Sequence, residues 1–111
     1  MTLIKYRISG ETVTMEAARA IPTPVPGLLL TMSPGGCWSV THERSGLAIA
    51  CDDDGSEALG AFVLDIAHLA DWTAHGKDLA ASGIGAEVRR IRQRYPSLTA
   101  DYPLGDGEDI T

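Results

Sequence analysis

The sequence predicts an α+β domain: an antiparallel sheet of four to five strands, made of two hairpins and a linking strand, followed by two helices packed on one face. Three observations carry this. Apolar and polar residues alternate at the N-terminus and again around Val40 and Ile49, the period-2 pattern of half-buried strands. Glycine and proline punctuate the first half at short spacing, as turns require. From Leu59 onward the apolar period lengthens to that of a helix.

The elements follow in order. In "IKYRISGETVTM", Ile4, Tyr6 and Ile8 alternate with Lys5, Arg7 and Ser9. A two-residue Ser9-Gly10 turn would set Tyr6 opposite Val13 and Ile4 opposite Met15, all four on one face. "AIPTPVPG" carries Pro22, Pro24 and Pro26, which lack the N–H for a ladder bond, so this stretch is an edge or a connector. As an edge it could also pair between two subunits. "LLLTM" is the linking strand, closed by "SPGG".

"CWSVTH" and "LAIAC" form the second hairpin around a four-residue loop, Glu43 to Gly46. In that register His42 faces Leu47, Val40 faces Ile49 and Trp38 faces Cys51. Trp38, Val40, Leu47, Ile49 and Cys51 then share the buried face. Cys37 falls on the other face, which disfavours a Cys37–Cys51 disulfide. With Ile4, Tyr6 and Val13, this face is expected to be covered by Leu59, Phe62, Val63 and Ile66.

Asp54 and Glu57, with Ser56 between them, read as the start of a helix. Its stripe runs through Leu59, Phe62, Val63, Ile66, Leu69 and Ala70, and Gly76 is its expected end. "KDLAAS" suggests one short helical turn. "AEVRRIRQRY" is the last helix, with Ile84, Val88, Ile91 and Tyr95 inward and Pro96 as its stop. The expected organisation is one domain over 1–95 and an acidic, flexible tail over 96–111.

Composition bounds the function. The 111 residues carry 15 acidic and 9 basic side chains, a formal net charge of −6, which disfavours general nucleic-acid binding. No long apolar run suggests a membrane span, and no leader pattern is seen at Met1, so the expected location is cytoplasmic, with both cysteines as free thiols. The run Asp52-Asp53-Asp54 lacks the spread of ligands a calcium loop needs, and carboxylates at a helix start are explained by the helix dipole.

Two surfaces are candidates. His68, Asp71, Trp72 and His75 lie opposite the apolar stripe if the helix is continuous, with Leu64 one turn earlier. His68 and His75 are then two turns apart, about 10 Å, too far to chelate one ion without further ligands. No metal or cofactor is expected. The preferred reading is a protein contact ridge of Leu64, His68 and Trp72, with Asp71 and His75 beside it. The competing reading folds Trp72 into the core edge. The second surface is Arg89, Arg90, Arg92 and Arg94, either a solvated helix face or an anion or nucleic-acid contact. Cys37 has no base on its own face, and "GIG" lacks the remaining parts of a phosphate loop.

The stretch "WSVTHERSGLAI", followed by a helix ending in "LADWT", resembles small accessory proteins of phages, plasmids and integrative elements of high-GC bacteria. The resemblance covers Trp38 to Thr73 and carries no catalytic residue. It implies a non-enzymatic protein that binds, and in some cases inhibits, a host or element-encoded protein. The alternative is a nucleic-acid or phosphate-ligand module using the arginine helix.

Overall fold

The computed structural model describes residues 1–8 and 11–99. Strands β1 (Leu3–Ile8) and β2 (Glu11–Glu16) pair antiparallel in the expected register, Ile4 opposite Met15 and Tyr6 opposite Val13. The Ser9-Gly10 turn expected between them lies outside the described residues. Strands β3 (Arg19–Pro22), β4 (Leu28–Met32), β5 (Trp38–His42) and β6 (Ala48–Asp52) form an antiparallel meander in chain order. The proline-flanked strand β3 is an edge, as its missing donors require.

The fold is α+β, with its six strands divided between sheets of two and four. The division occurs between adjacent residues. The Ala17 N–H donates to the Thr2 carbonyl (2.8 Å), whereas the Ala18 N–H donates to that of Met32 (2.8 Å).

The β5–β6 hairpin departs from the expected register in one place. The His42 N–H donates to the Leu47 carbonyl (2.9 Å), as expected, and Gly46 closes the loop with a φ of +78°. A bulge beside Val40 and Thr41 then shifts the remaining pairs by one. Val40 faces Ala50, Ser39 faces Cys51, and Trp38 faces Asp52 rather than Cys51. Cys51 therefore leaves the helix-covered face and joins the side occupied by Ser39. Cys37, two residues before Ser39, is on that side too, which corrects the expectation that the cysteines point apart.

Both faces of the four-stranded sheet are covered. On one, Leu28, Val40, Leu47, Ile49 and Ala50 pack against Leu59, Phe62, Val63 and Ile66 of α1 (Glu57–Ile66). Leu79 of α2 (Gly76–Ala81), and Val88 and Ile91 of α3 (Ile84–Arg92), complete that core. On the other, Thr31, Ser39 and Thr41 are buried, and the Thr31 hydroxyl lies 2.8 Å from each of the other two. The Tyr6 hydroxyl reaches Ser39 from β1 at 3.1 Å. Ile4 is buried but stands outside the helix-side cluster. The expectation that β1 and β2 share the helix-covered face is thus corrected: β1 sets Tyr6 against the hydroxyl face, with β2 paired beside it.

Two boundaries also move. The Ser56 side chain makes no capping bond at the start of α1, and the acidic run works one turn earlier, where Asp52 accepts the Asp54 N–H (2.9 Å). The packed chain continues past 95. Leu98 is buried, and Thr99 exchanges two backbone bonds with Cys51 (2.6 and 2.9 Å). Residues 100–111 of the expected tail lie outside the described residues.

Candidate contact surface and buried polar sites

The expected ridge depends on a helix running to Gly76, and α1 stops at Ile66. A 3₁₀ turn over Ala67–Leu69 follows, and Ala70 is fully extended (φ −163°, ψ 168°). The Asp71 carboxylate accepts both the N–H (3.0 Å) and the hydroxyl (2.5 Å) of Thr73, a side-chain-closed turn. These two bonds hold the Asp71 carboxyl below its ordinary range. Gly76 opens α2 instead of ending α1.

This reversal turns Trp72 inward. Its side chain is 1% exposed, and its Nε1–H donates to the Ile66 carbonyl at 3.0 Å, near the end of the helix it was expected to extend. Trp72 is thus core and cannot form part of a contact ridge. The reason is energetic: burying an indole with its N–H satisfied outweighs one more turn of a short helix.

The other four residues of the expected surface remain outside. Leu64 is 60% exposed, and His68, Asp71 and His75 are exposed as well. Besides Leu64, Met1 is the one exposed large apolar side chain among the described residues. A shallow cleft of about 270 Å³ next to the Asp71–Thr73 turn is lined by Gly27, Glu43, Arg44, Trp72 and Thr73. It places one acidic and one basic side chain beside the same loop.

The arginine helix divides. Arg92 donates to the Ile49 carbonyl (3.2 Å), which ties α3 to β6 and corrects its expected outward position. Arg90 pairs with Glu87 one turn earlier. Arg89 and Arg94 are exposed. On the inner side Tyr95 stands edge-on to Phe62, with ring centroids 5.9 Å apart.

The sequence reading did not anticipate the site around His42. This histidine is fully buried, with Nε2 3.0 Å from the Ala74 carbonyl and Nδ1 2.7 Å from the Ser45 hydroxyl. A carbonyl only accepts, so Nε2 carries the proton and Nδ1 is the acceptor. The Ser45 N–H also approaches Nδ1 (3.3 Å), and the Ser45 hydroxyl accepts the Leu47 N–H (3.2 Å). Every side-chain polar atom of this His–Ser pair is engaged inside the fold, which makes it a structural clamp between the β5–β6 loop and the segment after Trp72. The signal in the sequence was the spacing "HERS", in which a loop serine can reach back to the histidine three residues earlier.

The cysteines, read as pointing apart, are diagonal neighbours on one face of the β5–β6 hairpin. Burial and the Asp53 carboxylate beside it push the Cys37 thiol up to about 11; burial, Cys37 and Asp53 push that of Cys51 to about 12. Both are neutral thiols at physiological pH. Among the described residues no group of three or more His, Cys, Asp or Glu side chains could hold a metal ion, and no helix is long and apolar enough to cross a membrane. No family model, curated protein or solved structure matches the chain.

Proposed function

We propose that this chain is a non-enzymatic protein-interaction domain whose contact surface is the outward side of α1 and the turns after it: Leu64, His68 and Asp71, with His75 at the margin. The observation that carries this reading is the exposure of Leu64, which among the described residues only Met1 shares of the large apolar side chains. An exposed leucine followed by exposed histidine and carboxylate side chains fits the apolar centre and polar rim of a small protein contact. Trp72 acts from beneath, by fixing the turn that presents Asp71. The chemically suggestive pairs support the same reading: His42 and Ser45 are consumed by internal hydrogen bonds, and the thiols stay protonated. The resemblance to accessory proteins of mobile elements makes a host or element-encoded protein, met in the cytoplasm, the proposed partner, with inhibition as one possible consequence of binding.

The test is a nuclease-treated pull-down from the native host, comparing the unmodified chain with Leu64→Asp. A stoichiometric protein bound by the first and lost by the folded variant is the expected result. A partner retained by Leu64→Asp overturns the surface. Recovery of nucleic acid in place of protein, abolished by Arg89→Ala with Arg94→Ala and weakened steeply by salt, overturns the reading in favour of an anion-binding helix.

A further inference from the structure

We infer that Cys37 and Cys51 form a reversible dithiol–disulfide couple that staples the β5–β6 hairpin at its open end. The bulge beside Val40 carries the argument. Without it the two residues would point to opposite faces. With it Cys51 lies opposite Ser39, and Cys37 is its diagonal neighbour on the same face. Each thiol influences the ionisation of the other, and both are free in the structure.

Each end is held by backbone bonds to a different segment. Cys51 is fixed within β6 by its two backbone bonds to Thr99. Cys37 lies just outside β5, where its N–H donates to the Ser33 hydroxyl (3.1 Å) and its carbonyl accepts the Ser33 N–H (2.9 Å) across the turn Ser33–Gly36. Closing a disulfide requires the sulfurs to approach to about 2.05 Å, so the diagonal pair must draw together from its ordinary strand spacing.

The oxidant is a small-molecule disulfide such as glutathione disulfide. The Cys37 thiolate attacks one sulfur of it, forming a mixed disulfide and expelling one glutathione thiolate. The Cys51 thiolate then attacks the Cys37 sulfur and expels the second. The two protons released by the cysteines pass to the two glutathione thiolates, so two thiols and one disulfide become one disulfide and two thiols. Cys37, the less buried of the pair, goes first. The Asp53 carboxylate next to both sulfurs opposes their ionisation and slows each step.

The experiment is intact-mass spectrometry of the reduced full chain during incubation with glutathione disulfide, followed by peptide mapping. Expected are loss of two hydrogens, a Cys37–Cys51 linked peptide, and full reversal by dithiothreitol. Cys51→Ser is expected to stop at one glutathione on Cys37, and Asp53→Asn to accelerate closure several-fold. A chain without substitutions that stays reduced, stops at the mixed disulfide or links only between molecules overturns the inference, and this readout does not depend on any variant folding.

Discussion

The carbonyl of Trp72 occupies the space where Gly27 would carry a side chain: a Cβ built on Gly27 falls 2.2 Å from the Trp72 oxygen. Gly27 also has a φ of +92°, a region L-residues rarely adopt. The last residue of the proline-rich connector and the turn after α1 therefore fit together only with glycine. Gly27→Ala combines backbone strain with a clash against another backbone, and is expected to cost at least about 2–3 kcal/mol. A urea midpoint unchanged by this substitution would show that the two segments can move apart freely.

Trp72 separates packing from polar satisfaction. Trp72→Ala removes a fully buried side chain and should cost about 3–5 kcal/mol. Trp72→Phe keeps much of the volume but leaves the Ile66 carbonyl without its donor, for about 1–3 kcal/mol. Leu64→Ala, at an exposed position, should shift stability by less than about 0.5 kcal/mol. Equilibrium denaturation of the three variants gives the ranking directly.

Ser45→Ala tests the clamp. The substitution deprives the His42 Nδ1 and the Leu47 N–H of a buried partner each, and about 1–3 kcal/mol of destabilisation is expected. Exchange of the Leu47 amide with deuterated solvent should accelerate as well. Unchanged exchange would mean that this loop is held by its backbone bonds alone.

Alkaline pH should unfold the chain through one cluster. Burial raises Tyr6 from 10.0 to about 12, partly offset by its bond to Ser39, and the thiols of Cys37 and Cys51 rise from 9.0 to about 11 and 12. The folded chain thus retains protons that the unfolded chain releases. Their stabilisation is fully present below about pH 9 and is lost as the pH climbs through 9 to 12. The denaturant midpoint should fall over that window, and Cys51→Ala should fall less steeply. An equal fall in both would place the alkaline transition elsewhere.

Phe62 connects the sequence reading to the structure. Its helical spacing with Leu59 and Ile66 places it inward from sequence alone, and it is fully buried against Tyr95. Phe62→Ala should cost about 3–5 kcal/mol, measured by thermal or urea unfolding. An unchanged melting temperature would contradict the packing described here.

Local pattern was enough for the positions of the strands, the β1–β2 register, the edge role of the proline-flanked segment and the inward side chains of α1 and α3, because each follows from side-chain period or backbone chemistry within a few residues. Leu64 was legible as outward for the same reason, whereas His68, Asp71 and His75 are exposed on turns beyond the end of α1, where the helical period no longer applies. Three features depended on partners far along the chain. The bulge that brings Cys37 and Cys51 to one face is a single extra residue, which leaves the alternation of "CWSVTH" intact and so leaves no trace in it. The second buried face, with Thr31, Ser39 and Thr41, reads as solvent-facing until Tyr6 of β1 reaches it, and only mutual hydrogen bonding lets those hydroxyls be buried. Trp72 could have continued a helix or entered the core, and Ile66, His42 and Gly27 together provide the bond, the edge-on ring and the space that draw it in. Period is a local property of a chain, whereas the free energy of burial belongs to whichever distant groups meet, and only the tertiary structure decides those meetings.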